Sequence, residues 1–231
     1  MKYGRLMGTI SALMLLIAAG CAQVAPMKAA FSSGPTDWFI FLERGKPTPG
    51  DKEAVAAMQK GHIANFEKLF SEKKLLAAGP LSDPSGDKRG IVVVKAPDLD
   101  TLKGYFVADQ YVRDGYMTIN ARRAVVHKAL NSTGIDAKTI EEGRIILIAR
   151  PSVVLDVDTD KNDKAFLQEL VDNRVVGAWY TLQDGPVAEV LFTRMRDNKK
   201  LEDVMSRHPS AWAMGIPIAI WPQWLSRGVV D

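Results

Sequence analysis

NFEKLFSEKKLLAAGP, residues 65–80, decides how this chain folds. Phe66 and Leu69 close a helical run of apolar positions, and Leu75 to Pro80 follows as a short strand ending in Gly-Pro. The same layout returns one hundred residues later as AFLQELVDNRVVGA, residues 165–178. Phe66, Phe70, Leu75, Leu76 and Ala78 align with Phe166, Leu170, Val175, Val176 and Ala178. A repeat of this period marks one folding unit present twice. Further out, Gly115, Met117 and Ile119 match Gly215, Pro217 and Ala219, and Trp38 to Leu42 matches Arg144 to Ile148.

Each copy reads strand, helix, strand, strand, helix, strand. In the first, residues 38–43 are an aromatic and β-branched run, broken by the loop from Gly45 to Gly50 with Pro47 and Pro49. Val55, Met58, His62, Phe66 and Leu69 step by three and four, predicting a helix over about 52–74. Residues 75–80 and 90–95 are the next strands, and 98–108 a short helix capped by Asp98. Residues 116–126 close the unit. The βαββαβ order is the ferredoxin-like arrangement, whose open sheet has one face covered by helices and must bury the other. The expected fold is therefore α+β, two tandem halves packed sheet to sheet as an intrachain version of a dimeric α+β barrel. The first half spans 37–127 and the second 144–231, with a polar linker over 128–143 that contains Asn131-Ser132-Thr133-Gly134. Internal pairing predicts a monomer.

The 231 residues are 47% hydrophobic and 25% charged, the composition of a folded chain. One cysteine excludes an internal disulfide and a cysteine-based zinc cage. Lys2 and Arg5 precede a charge-free run from Leu6 to Ala19, too short to span a bilayer and typical of a signal peptide over residues 1–20. Ile17-Ala18-Ala19-Gly20-Cys21 resembles a bacterial lipobox, whose cysteine takes a diacylglyceryl thioether and a further acyl chain such as palmitate. Multiple acyl chains give stable membrane attachment. Residues 21–36 then read as a tether, and Ala22 after the cysteine resembles outer-membrane sorting. The expected location is the bacterial cell envelope, lipid-anchored and facing the periplasm, with the membrane as partner. Cleavage removes two of the basic residues and no acid, lowering the formal charge from +3 to +1, so nucleic acid is not an expected partner.

Three places carry candidate chemistry. His62 lies on the apolar face of its helix, either as a hydrogen-bonded core residue or as a general acid/base set by burial and a carboxylate. Asp83 follows the Gly79-Pro80 strand end, where turn chemistry is the plain alternative. Asp109 stands between the second helix and the last strand, able to cap or brace a turn.

Together they resemble the YCII-related family of small ferredoxin-like domains. The resemblance rests on Trp38 to Leu42, on His62 thirteen residues before Leu75, on Ala78-Gly79-Pro80 with Asp83, and on Asp109 six residues before Gly115. Gln110 departs from the proline common in the family. The resemblance implies a barrel with His and Asp facing a pocket, and one related member removes chloride from a chlorinated hydroxyhydroquinone. It implies that His62 transfers a proton while Asp83 or Asp109 orients it, acting on a small cyclic or aromatic ligand.

In the second copy Asn162 takes the place of His62, Gln183 that of Asp83, and His208-Pro209 that of Asp109-Gln110, so this copy reads as a degenerate partner completing the barrel. His127 reads as a solvated linker histidine. Trp179, Trp212, Trp221 and Trp224 read as interface filling, with Trp221 to Leu225 beyond the last strand. No phosphate-binding glycine loop, dinucleotide fingerprint, metalloprotease helix or serine elbow occurs, and neither a metal nor a cofactor is expected. The reading is an envelope lipoprotein with a tandem YCII-like domain, an enzyme of His/Asp acid-base chemistry, or alternatively a non-catalytic ligand-binding or structural lipoprotein.

Overall fold

A computed structural model describes residues 36–231, which lie in one compact unit. The signal peptide, Cys21 and the tether fall outside the described residues, except that Thr36 already belongs to the first strand. The elements run β1 (Thr36–Arg44), α1 (Lys52–Ser71), β2 (Leu75–Pro80), β3 (Lys88–Ala96), α2 (Leu99–Gly104), α3 (Gln110–Arg113) and β4 (Met117–Lys128). They continue β5 (Asp136–Ala149), α4 (Val157–Asp172), β6 (Ala178–Leu182), β7 (Val187–Thr193), α5 (Asn198–Met205), α6 (Pro209–Met214) and β8 (Ile218–Arg227). No helix among the described residues is long and apolar enough to cross a membrane.

Eight strands form one antiparallel sheet in the order β2-β3-β1-β4-β6-β7-β5-β8. Each half supplies four, and β4 pairs with β6 from Ala124↔Leu182 onward. The outer edges meet as well: Leu81 bridges Gln223, and the Ser82 N–H donates to the Pro222 carbonyl at 2.9 Å. The sheet thus closes almost completely into an α+β barrel. The halves are joined through their strand edges as well as through their inner faces, because β2 and β4 each present an otherwise unpaired edge. Gly79 sits at the closing seam, where a Cβ would stand 1.8 Å from the Trp224 carbonyl oxygen, so no larger residue fits.

Strand alternation divides the core in three. Phe39, Phe41, Ile91, Val93, Ile145, Leu147, Val190 and Phe192 fill the barrel interior. Trp38, Ile40, Leu42, Val92 and Val94 point outward onto Leu69, Leu102 and Phe106. Ile146, Ile148 and Leu191 likewise meet Leu167, Leu170, Leu201 and Met205. Central strands buried on both faces need apolar residues at every position, which explains the unbroken runs 38–42 and 91–94.

Several expectations need correction. The 128–143 linker is a seven-residue turn over 129–135, because the polar stretch from Asp136 to Gly143 is the start of β5 and pairs with β8. Its outer end is exposed and polar, so it carries no apolar alternation to read. The helix expected over 98–108 stops at Gly104, and α3 follows as a separate turn. Trp221 to Leu225 lies within β8, and Trp212 is 82% exposed on α6.

Candidate functional site

His62 is brought inward by α1. Asp51 caps this helix by accepting the Glu53 N–H at 2.9 Å, and Met58, His62, Asn65 and Leu69 form its buried stripe. The imidazole packs edge-on to Phe66, with ring centroids 4.5 Å apart, and to Tyr111 at 5.5 Å. Asp109, the N-cap of α3, is fully buried. Its Oδ1 accepts the Tyr111 N–H at 3.0 Å and its Oδ2 meets His62 Nδ1 at 2.6 Å.

These contacts constrain the ring: an ionised Asp109 only accepts hydrogen bonds, so the bond requires the hydrogen on His62 Nδ1, and in the neutral imidazole the lone pair is then on Nε2. Asp109 is immobilised by the helix start and in turn immobilises the ring. Chemically, an imidazole held in this way can remove a proton while the adjacent carboxylate stabilises the imidazolium.

Asp83 does not belong to this pair. Its carboxylate accepts from Ser85 N–H, Ser85 Oγ and Lys88 N–H at 3.0, 2.7 and 2.9 Å, organising its own loop. Burial pushes the Asp83 carboxyl up, and these donors outweigh it, holding it below the ordinary carboxylate range. Of the two acids open in the sequence, Asp109 is the one brought to His62.

A cavity of about 450 Å³ lies beside the pair, walled by Tyr111, Tyr116, Val55 and Gln59 and by the cations Arg44, Lys46 and Arg89. Tyr111 links the two regions, since its N–H caps Asp109, its ring touches His62, and it lines the cavity. Sequence reasoning missed Tyr111, although it stands two residues after Asp109, and missed Arg44 and Arg89, which are remote in sequence.

The second half is not empty at the matching place. Left-handed Lys73 and Arg174, both at φ 57°, end the equivalent helices α1 and α4. The bonds Lys74 N–H to Leu69 O and Val175 N–H to Leu170 O repeat the same ending. The helices therefore correspond at a spacing of 101, one more than the apolar pattern suggested, because Phe66 and Phe166 align by composition and not by position. At that spacing His62 corresponds to Asp163, while Asp109 and His208 correspond by role, as the N-caps of α3 and α6, at a spacing of 99. The imidazole and the carboxylate have exchanged places. His208 Nδ1 lies 3.6 Å from Asp163 Oδ1 and accepts the Ala211 N–H at 3.4 Å. Asp163 is held instead by Ser210, through its N–H at 3.0 Å and its hydroxyl. Burial lowers the His208 pKa against the opposing pull of Asp163, and its Nε2 is buried without a partner. The copy keeps both residue types, so simple loss of the pair does not describe it.

His127 is exposed, as expected, but it belongs to β4 and not to the linker, and it stacks on Trp179 at 3.9 Å, with Nε2 2.8 Å from Thr181 Oγ1. Burial, then Lys164, lowers its pKa. Among the described residues no group of three or more His, Cys, Asp or Glu could hold a metal ion.

No curated protein matches the chain. Among solved structures it is similar to a "putative monooxygenase" of Fusobacterium nucleatum subsp. nucleatum ATCC 25586, with 10% identity, a TM-score of 0.53 and coverage of 86% of this chain and 97% of that one. It is also similar to a mutant chlorite dismutase from Candidatus Nitrospira defluvii, with 14% identity, a TM-score of 0.51 and coverage of 83% and 92%. At such identities the likeness is one of fold, and it agrees with the barrel. Residues 39–125, a stretch that holds both His62 and Asp109, match the YCII-related domain model.

Proposed function

We propose that the first half is an enzyme in which His62 Nε2 moves a proton on a small cyclic or aromatic molecule, while Asp109 holds the imidazole in place. The observation that carries this reading is the 2.6 Å bond between His62 Nδ1 and a fully buried Asp109. Arg44, Lys46 and Arg89 line the adjacent cavity with no carboxylate among its walls, so an anionic substrate fits it best. A phenolate or a ring carboxylate has that character. The test is an activity screen of such anions with wild type, His62→Gln and Asp109→Asn. Loss of turnover in His62→Gln with retained ligand binding supports proton transfer by His62. Equal turnover in wild type and His62→Gln refutes it. A second reading, binding without turnover, is favoured by one feature: Tyr111, and not His62, forms the cavity wall.

The setting belongs to the same proposal. The lipobox-like Ile17 to Cys21 supports a lipid-anchored envelope protein, on the outer membrane and facing the periplasm. Cys21→Ala should then release the protein from the membrane fraction and abolish incorporation of labelled palmitate. The internal pairing of β4 with β6 supports a monomer, checked by light scattering.

A further inference from the structure

The largest cavity among those described is in the second half, about 550 Å³, between β7, α4 and the loop that joins β5 to α4. Its apolar wall includes Val154, Leu155, Val157, Leu167 and Ile216, with Val154 at 99% exposure on the rim. Such a volume suits a small organic molecule, and a largely apolar wall with few polar groups is the usual build of a ligand site.

Most of its polar groups are already satisfied. Lys164 is paired with Asp160 at 2.7 Å. Arg150 donates to the carbonyls of Gly185, Leu182 and Val187. Asp163 accepts twice from Ser210. Glu189 is different. Its Oε2 accepts from Trp179 Nε1 and Thr181 Oγ1, each at 2.7 Å, yet no ion pair reaches Glu189 among the described residues. Because the Thr181 hydroxyl donates its hydrogen to Glu189, it accepts from His127 Nε2, which extends the support by one more residue. The carboxylate is thus positioned and oriented without a cation in ion-pair contact, Lys164 and Arg150 acting on it only from a distance. Burial pushes its pKa up, against the two donors and the more distant Lys164 and Arg150.

We infer that this cavity binds an amphiphilic organic cation, a primary or substituted amine whose ammonium pairs with Glu189 and whose apolar body lies against Leu155, Leu167 and Ile216. The cavity walls carry three carboxylates against two cations, so a monocation brings the site to neutrality. The first-half cavity has the opposite character, with three cations and no acid. The strand registers account for the Glu189 part of this difference. Glu189 on β7 faces Ile148 of β5, and the matching pair in the first half is Gly90 of β3 facing Leu42 of β1. A carboxylate in one copy stands where the other has no side chain, so the two halves of the barrel select ligands of opposite charge.

Calorimetric titration with 4-phenylbutylamine, 4-phenylbutan-1-ol and 4-phenylbutyrate separates the contributions. The amine should bind at least about tenfold tighter than the alcohol, the scale of a charge-assisted hydrogen bond, and the acid weakest of all. Glu189→Gln keeps an oxygen for Trp179 and Thr181. It should bring the amine down to the affinity of the alcohol and leave the alcohol unchanged. Ala188→Trp, which fills the cavity from its wall, should abolish binding of both. His62→Gln should leave amine binding intact, so this result is independent of the first-half reading. Equal binding of amine and alcohol, absence of amine binding at millimolar concentration, or amine affinity unaffected by Glu189→Gln or Ala188→Trp would each overturn the inference.

Discussion

Asp109→Asn probes the geometry of the first-half pair without needing a substrate. The amide is the same size as the carboxylate and can still offer an oxygen to the Tyr111 N–H, so the cap of α3, worth about 1 kcal/mol, is retained. What changes is the 2.6 Å contact with His62. The amide now presents an N–H₂ to Nδ1, and two donors cannot face each other. The imidazole must move its hydrogen to Nε2 and accept at Nδ1, which exchanges a charge-assisted bond of about 1.5–3 kcal/mol for a neutral one of about 1 kcal/mol. The expected loss of stability is therefore about 0.5–2 kcal/mol by urea denaturation. Asp109→Ala removes cap and partner together and should cost about 2.5–4 kcal/mol, the cap of about 1 plus the charge-assisted bond of about 1.5–3 kcal/mol.

The decisive measurement is the tautomer. Long-range proton–nitrogen NMR correlations distinguish Nδ1–H from Nε2–H directly. Wild type should show His62 as Nδ1–H and the Asp109→Asn variant should show Nε2–H. Where an activity is found, the same variant should lose about two to four orders of magnitude in rate, because the proton-accepting lone pair has left the outward edge of the ring. An unchanged Nδ1–H tautomer with wild-type stability would refute the reasoning, since Asp109 could not then be what orients the ring.

His208 should make stability fall on the acid side. Burial lowers its folded pKa below 6.5, so the unfolded chain binds the proton first and stability drops as pH falls through and below that value. The slope is at most about 1.4 kcal/mol per pH unit, and His208→Asn, which can still cap α6, should flatten it in urea titrations at pH 7.5 and 5.5. Gly79→Ala drives a Cβ to 1.8 Å from a backbone carbonyl of β8 that cannot yield. It should cost about 3 kcal/mol or more and raise hydrogen exchange along the β2–β8 seam before it affects β1. Asp83→Ala removes three hydrogen bonds from the 83–88 loop, and it should accelerate exchange there while leaving the His62 tautomer unchanged.

The barrel was legible because its strands are buried on both faces. Runs such as Trp38 to Leu42 and Ile91 to Val94 cannot be surface segments, and a doubled βαββαβ order leaves few ways to cover the second sheet face. The start of β5 was not legible, since Asp136 to Glu142 is paired on one side and mostly solvated, and such a strand carries the composition of a loop. His62 and Asp109 were legible by position, but their pairing was not. Asp83 and Asp109 both sit in acidic turns, and only the direction of α3 decides which carboxylate reaches α1. The second-half site was hidden by one residue of register. Asn162 aligns with His62 at a spacing of one hundred, whereas the helix endings at Lys73 and Arg174 set the true spacing at 101 and place Asp163 there.

That exchange of residues shows why, of the barrel's two imidazole–carboxylate pairs, only the first suits the proposed proton transfer. In the first half the carboxylate is the helix cap. It takes the Tyr111 N–H on one oxygen and the His62 Nδ1–H on the other, so the ring's Nε2 is used in neither bond. In the second half the imidazole is the helix cap. His208 Nδ1 accepts the Ala211 N–H, which uses the lone pair that a base would need, and the neutral ring must carry its hydrogen on Nε2. Asp163 is meanwhile drawn to Ser210 and stands 3.6 Å away, too far to take a hydrogen from Nδ1. The two histidines should therefore show opposite tautomers in the same spectrum, His62 as Nδ1–H and His208 as Nε2–H. His208→Gln should leave every His62-dependent rate unchanged. A His208 resonance in the Nδ1–H form would mean that Asp163 orients it as Asp109 orients His62, and the barrel would then hold two bases in place of one.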